Sequence, residues 1–312
     1  MNIFDLKLLH KTINIKYVQA MPTLRPIEKI IAPPPIHWVG DGFKVHNFLP
    51  GDGSLGLQRM SPFFLMDYNA KTFFAPSASP RGVGVHPHRG FETVTIAYHG
   101  KVAHHDSAGY HGVIGQGDVQ WMTAASGILH KEYHEKEWSK TGGWFQMVQL
   151  WVNLPAKHKM STPKYQPILN EQMGKHLLHD RKSYVEVIAG KYHEATGTAS
   201  TFTPIEMYNA KLIGGGEATF SFPKQFNTAF LIIDGKVEIN HSTIETDHLV
   251  IFSNEDGDIH LKANEMSVVL ILSGEPINEP IFPYGPFLMN TKQEIIQAYN
   301  DLENGKFGQL EE

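Results

Sequence analysis

The feature that most constrains this chain is a rhythm. Short runs rich in β-branched and aromatic residues, at 92–98, 144–152, 229–233 and 267–272, alternate with Gly, Pro, Asn and Asp. Runs of that length bounded by turn formers mark an all-β architecture. The rhythm also repeats. Phe91-Glu-Thr-Val-Thr-Ile-Ala-Tyr-His-Gly-Lys-Val102 lies over Phe226-Asn-Thr-Ala-Phe-Leu-Ile-Ile-Asp-Gly-Lys-Val237 at an offset of 135 residues, and Gly127-Ile-Leu-His130 lies over Gly257-Asp-Ile-His260 at an offset of 130. Self-similarity of this kind in 312 residues predicts two related β-domains, with a boundary where Pro and Lys cluster over 155–163. Asp234-Gly235 between two apolar runs predicts a two-residue hairpin.

Helical periodicity is confined to the C-terminus. A helix is expected over 291–303, with Thr291 as N-cap, Glu294 at the capping-box position and Gly305 past the end. Ile295, Ile296, Tyr299 and Leu302 form its apolar stripe, expected to pack on the body of the protein. Gly285-Pro286, just before it, is expected to cover one barrel mouth.

Composition narrows the function classes. The chain is 41% hydrophobic and 19% charged, the balance of a globular domain. It has no cysteine, which removes disulfides, thiolate ligands and cysteine nucleophiles. A net charge of −5 argues against broad nucleic-acid binding, and no run approaches a membrane span. Asp5, Lys7 and Lys11 interrupt the first apolar stretch, so residues 1–20 do not read as a signal peptide. They read as an extension, with Met21 an alternative start, and the expected compartment is the cytoplasm, or the nucleus in a eukaryote.

Two pairs of donors carry the chemistry: His86-Pro-His88 and His130-Lys-Glu132. Residues two apart on a strand share a face, so each pair can aim both side chains into one barrel interior. Three imidazoles and a carboxylate suit a transition metal rather than calcium or magnesium. Four protein ligands leave positions open, as a catalytic metal needs. Glu92 has the parity of the two histidines, as do the apolar Val94 and Ile96. It is therefore a rival ligand, or an acceptor that orients an imidazole. His104, His105, His111, His134, His158 and His179 lack such partners and are assigned to surface or core, His134 being the best placed because it shares the parity of Glu132.

The segment His86-Pro-His-Arg-Gly-Phe-Glu-Thr-Val-Thr95, with Gly117-Asp-Val-Gln-Trp-Met-Thr-Ala124 and Gly127-Ile-Leu-His-Lys-Glu132, resembles the pirin family of the cupin superfamily. Leu150-Trp-Val-Asn-Leu-Pro155 and Gly285-Pro-Phe-Leu-Met-Asn-Thr291 extend the resemblance over about residues 25–308. It implies an all-β bicupin, two cupin (double-stranded β-helix) barrels in one chain with a short C-terminal helix. The expected division is 1–24 extension, 25–160 metal-binding barrel, 161–290 degenerate barrel, and 291–312 helix and tail. By position the family's metal ligands fall on His86, His88, His130 and Glu132. The repeat sets Ser221, Pro223 and Asn227 opposite His86, His88 and Glu92, and His260 and Lys262 opposite His130 and Glu132. One imidazole beside a lysine does not hold a metal, so the second barrel is expected without one.

The resemblance also implies a function: oxidative cleavage of quercetin-like flavonols by molecular oxygen at a mononuclear metal. Iron, as Fe(II) or Fe(III), is the first expectation, with Mn, Ni, Cu, Co or Zn compatible. Glu132 is the expected catalytic base, with Glu92 behind it. Phe91, Trp121, Met122 and Phe145 are candidates for an aromatic pocket, each with a plain core role as the alternative. The expected partners are a polyphenol and O2, in a monomer. The competing class is a metal- or redox-sensing regulator that binds another protein.

Overall fold

The computed structural model describes residues 23–311, so the expected extension lies outside the described residues except for Thr23 and Leu24. Among the described residues, twenty-six strands fall mainly into two copies of one plan, a seven-stranded sheet facing a four-stranded sheet. In the first barrel the large sheet runs Lys164–Ile168, Val119–Thr123, Phe91–His99, Gly143–Asn153, Phe63–Phe74, Phe43–Leu49, Ile36–Val39, and the small sheet Gly82–His88, Ile128–His134, Val102–Asp106, His111–Ile114. The second barrel repeats this order with Ile27–Ile31, Leu249–Phe252, Asn227–Asp234, Ser267–Gly274, Ile205–Leu212, Tyr184–Ala189, Gly174–Leu177, against Glu217–Ser221, Asp258–Ala263, Val237–Ile239, Ser242–Ile244. Among the described residues no helix is long and apolar enough to cross a membrane.

The two large sheets pack face to face. Val94, Ile96, Trp121, Val148 and Leu150 share one buried cluster with Leu231, Ile251, Leu270 and Leu272 of the second barrel. Ala97, Phe145 and Met147 on the same strands of the first barrel point the other way, into its interior. Both faces of these strands are thus buried, and the sequence reads as nearly continuous apolar runs. This overturns the expected parity. Val94 and Ile96 are apolar because they meet the partner barrel, and it is Thr93, Thr95 and Ala97 that face inward. The phase changes around Gly90, whose φ of +92° breaks the strand between His88 and Phe91.

Asp234-Gly235 is not a hairpin turn. Asn227–Asp234 pairs within the large sheet and Val237–Ile239 within the small one, so the chain turns a corner between sheets there. Gly235 alone has positive φ (80°), whereas a type I′ turn needs it at both residues. Two strands also cross the expected boundary near residue 160. Ile27–Ile31 pairs with Leu249–Phe252 at the edge of the second barrel's large sheet, and Lys164–Ile168 pairs with Val119–Thr123 of the first. The buried Arg25 fastens the first of these, donating from Nε to Ser253 O (2.8 Å) and from a guanidinium nitrogen to Phe226 O (2.7 Å).

The repeat register is also one residue different from that expected. Val102 pairs with His134, and its counterpart Val237 pairs with Ala263. Counting back sets His130 against Ile259 and Glu132 against Leu261. Across the ladder, Phe220 opposes Ile259 as His86 opposes His130. The second barrel thus carries Phe220, Phe222, Ile259 and Leu261 at the four places, with Phe222 partly buried against the core that the other three join. A slip of one residue exchanges the faces. His260 and Lys262 therefore point outward, where Lys262 pairs with Glu217 at 2.8 Å.

The C-terminal helix spans Lys292–Glu303 and begins with the expected capping box between Thr291 and Glu294. Ile295, Ala298, Tyr299 and Leu302 pack on Phe287, Met289, Phe307 and Leu129, whereas Ile296 of the expected stripe faces solvent. The helix returns to the first barrel through a buried ion pair, Arg89–Asp301 at 2.8 Å. The buried Lys159 ammonium adds a second clamp, donating to Gly90 O (2.7 Å), Leu288 O (2.8 Å) and Asn153 Oδ1.

Because each barrel borrows an edge strand and both share one apolar core, cutting the chain at residue 160 should leave neither part folded. Separately expressed 23–160 and 161–311 are expected to be aggregated or to bind a hydrophobic dye with poor amide dispersion, with order restored on co-expression. Two well-dispersed independent spectra would contradict this account.

Candidate metal centre

The small sheet of the first barrel builds the centre. Gly82–His88 and Ile128–His134 pair antiparallel, which puts His130 directly across from His86 and two pairs along the ladder from His88. The three ring centroids lie 4.2 Å (His86–His130), 4.8 Å (His86–His88) and 4.8 Å (His88–His130) apart. Their donor atoms all lie within 4.8 Å of one another. The ladder is irregular between His130 and Glu132, where Glu132 pairs with Val83. One extra residue on the histidine strand is thereby absorbed, a bulge of the kind that re-aims side chains.

Each imidazole is tied down through Nδ1. His86 Nδ1 lies 2.8 Å from Gly84 O, and His88 Nδ1 lies 3.3 Å from Pro286 O. A carbonyl can only accept, so both rings carry their proton on Nδ1 and keep the Nε2 lone pair free. His130 Nδ1 lies 3.4 Å from Nδ1 of His104, while its own Nε2 is buried without a partner. An orphaned buried nitrogen among imidazoles is costly unless something ligates it. Burial, with His86 adding to it, pushes His88 down to about 3, and burial followed by His86, His88 and His104 lowers His130 well below the usual imidazole value. His88 and His130 are therefore neutral donors at neutral pH, as a metal requires. On these grounds the residues present fit a transition metal.

Glu132, the expected fourth ligand, falls outside the donor group of His86, His88 and His130 and is held by a polar cluster. Its Oε1 accepts from Thr95 Oγ1 (3.2 Å) and from Gln120 Nε2, and its Oε2 accepts from Gln149 Nε2 (3.1 Å). Glu132 also lies within 4.8 Å, donor atom to donor atom, of His130 and His104. Glu92, the expected rival, stands on the opposite face. Its Oε1 accepts from Thr123 Oγ1 at 2.7 Å, and it belongs to neither donor group.

A cavity of about 270 Å³ opens on His86, His88 and Glu132. Its walls are Val39, Phe43, Val45, Leu65, Val83, Met147 and Trp151, with Asp67 and Gln149 as polar points and Gly285-Pro286 at its edge. The four expected pocket candidates, Phe91, Trp121, Met122 and Phe145, do not line it. Phe91 stacks behind Trp151 (4.1 Å between centroids), Trp121 faces the partner barrel, Met122 packs with Ala124 and Ile128, and Phe145 lies in the deeper cluster around His134. Strand parity turns only Trp121 to the other face; Phe91, Met122 and Phe145 have the inward parity but lie buried in clusters away from the opening. His134 is a core residue, with Nε2 2.8 Å from Gly42 O and four aromatic rings around it.

The residue that sequence reasoning missed is His104. It sits fully buried across the ladder from Glu132, with Nε2 3.0 Å from Asp106 Oδ2. The signal was present: His104 and Asp106 are two apart on a strand, the spacing that singled out His86 and His88.

Two β-barrels of this plan, one with a histidine cluster at its mouth, define a bicupin with a candidate mononuclear metal centre. The sequence matches the pirin family over residues 42–152 and the pirin C-terminal cupin domain over residues 207–308. It is 46% identical over 271 residues to a Pseudomonas aeruginosa protein named "Putative quercetin 2,3-dioxygenase", covering 87% of this chain and 94% of that protein. It is 35% identical over 258 residues to human pirin, covering 81% and 84%. Among solved structures, a quercetin 2,3-dioxygenase from Acinetobacter baumannii superimposes with a TM-score of 0.86 at 46% identity, over 92% of this chain and all of that one. The chain belongs to the pirin family.

Glu92 provides a test of its separation from the centre. Burial pushes its carboxyl up to about 7, against the pull of the Thr123 hydrogen bond. A folded value above the unfolded one gives stability that is present below the unfolded value and lost as pH rises through 7. Glu92→Gln should therefore match the parent near pH 4 and exceed it above pH 8, by up to roughly 3 kcal/mol at 1.36 kcal/mol per unit. Thermal melts across pH read this. Metal content should not change, and its loss would return Glu92 to the ligand set.

Proposed function

We propose that this pirin is a metal-dependent dioxygenase that cleaves quercetin-like flavonols with O2, at a mononuclear centre held by His86, His88, His130 and Glu132 and filled by iron. The observation that carries the reading is the cavity: it meets the candidate ligands directly, and its walls are apolar. A buried regulatory metal has no need of such an opening. The similarity to proteins named for this activity points the same way.

When bound, the metal would act as a Lewis acid that lowers the pKa of a substrate hydroxyl. The remaining work falls to the chain. Trp151, stacked on Phe91, offers a rigid flat wall beside His88 (5.1 Å between centroids) for an aromatic ring. Leu65, Met147 and Val39 exclude water around it. Glu132 is the base: it faces the cavity and takes the hydroxyl proton at a carboxylate oxygen. Gln149 fixes that oxygen and itself reaches the cavity, so a bound substrate can compete for its amide and free Glu132.

Protein purified without added metal should contain iron on elemental analysis, and the iron-loaded form should consume O2 when given a flavonol. His88→Ala should lower uptake to below about one hundredth. If iron-loaded protein consumes no O2 with any of a flavonol panel, and His88→Ala behaves identically, the dioxygenase reading fails. The metal- or redox-sensing regulator then takes its place, to be tested by partner capture that depends on the metal's oxidation state.

A further inference from the structure

Of the three imidazoles, His130 alone is anchored by another titratable ring. Its Nδ1 faces Nδ1 of His104 at 3.4 Å, and His104 Nε2 faces Asp106 Oδ2 at 3.0 Å. All three residues are buried. Two imidazoles facing nitrogen to nitrogen share one proton, and either can hold it, so this contact by itself leaves the tautomer of His130 undetermined. With the proton on His130 Nδ1, the Nε2 lone pair is free. With the proton on His104 Nδ1, neutral His130 must carry its own proton on Nε2, the atom aimed at the metal position.

We propose that Asp106 and His104 are positioning residues that fix His130 in its ligand tautomer, a carboxylate–imidazole–imidazole chain running toward the metal. The direction is set by the carboxylate. Asp106 Oδ1 accepts the backbone N–H groups of Ala108 (2.9 Å) and Tyr110 (3.0 Å), which fixes the group with Oδ2 toward His104. A carboxylate oxygen accepts, so a neutral His104 carries its single proton on Nε2. Its Nδ1 is then the acceptor and His130 Nδ1 the donor. The opposite arrangement would set a lone pair of His104 against a carboxylate lone pair in a dry site. The ring of Tyr165 stacked on His104 (5.0 Å between centroids, 18° between planes) blocks rotation out of line.

Asp106→Asn reverses the chain with almost no change of shape. The backbone N–H groups of Ala108 and Tyr110 hold the amide oxygen of the new side chain, so its NH2 faces His104 Nε2. That nitrogen becomes an acceptor, the proton moves to His104 Nδ1, and His130 is left protonated on Nε2. The inference rests on His130 being a metal ligand, as proposed above, and not on any dioxygenase activity. Two readouts test it. Histidine 15N chemical shifts of the metal-free parent protein should show His130 protonated on Nδ1, and those of Asp106→Asn should show it protonated on Nε2. Co(II) titration followed by visible absorption should give one ion per chain, with the dissociation constant of Asp106→Asn raised roughly 10- to 100-fold at an unchanged thermal midpoint of the metal-free protein. A parent protein with its His130 proton on Nε2 overturns the inference without any variant. So does Asp106→Asn with parental Co(II) affinity, and so do two Co(II) per chain, which would make His104 a ligand of a second ion. A failure of O2 uptake with Co(II) binding and tautomers as stated would count against the dioxygenase reading alone.

Discussion

The apolar contact between the two seven-stranded sheets is the constraint on which the rest depends. A sheet with one face in its own barrel and the other against a partner has no solvent face, so polar side chains on it must be satisfied internally. Glu92 with Thr123 and Tyr98 with Asn209 are such cases, and both face the junction. The large sheet therefore cannot easily host the ligand pairs. They fall on the small sheet, where Gly82–His88 is an edge strand only partly covered and one end of the barrel stays open.

Openness carries its own cost, since an exposed mouth is poorly defined. The chain after the second barrel meets it. Pro286 supplies the carbonyl that orients His88, and Gly285-Pro286 forms part of the cavity rim. Behind it, Asp301 receives Arg89, the neighbour of His88, and its carboxyl is held well below the usual range by Lys306 and Arg89. A buried ion pair of this kind is weak evidence for net stability but strong evidence for register, because breaking it would strand a charge. The second barrel thus contributes to the first barrel's site through its C-terminal strap.

How far all this could be read in advance follows from what kind of signal each feature leaves. The all-β class, the repeat, the capping box at Thr291 and the clustering of His86, His88 and His130 were legible because each is a local pattern with one physical cause. The facing of strand 91–99 was not, because alternation reports burial only when one face is wet. Val94 and Ile96 looked like barrel interior and are the junction instead. The Asp234-Gly235 hairpin failed for a related reason. A glycine of positive φ turns the chain, but whether the next strand pairs with the last or crosses to another sheet is a long-range matter. His104 was passed over although its spacing from Asp106 was the right one. A histidine that supports a ligand leaves the same pattern as one that is a ligand, so spacing alone does not separate the two roles.

The second barrel shows what a ligand set requires if it is to persist. A buried imidazole without a metal or a hydrogen-bond partner is costly, so once one ligand of a set is lost the others are no longer compensated. Replacement by apolar residues of adequate volume is then the stable solution, and it is what fills that barrel: Phe220 and Phe222 at the places of His86 and His88, Ile259 and Leu261 at those of His130 and Glu132. The supporting chain has gone as well. Ile239, paired with Leu261, stands where His104 stands across from Glu132. The proposed ligands and His104 thus have apolar counterparts together, which is expected if His104 has no purpose apart from the centre beside it.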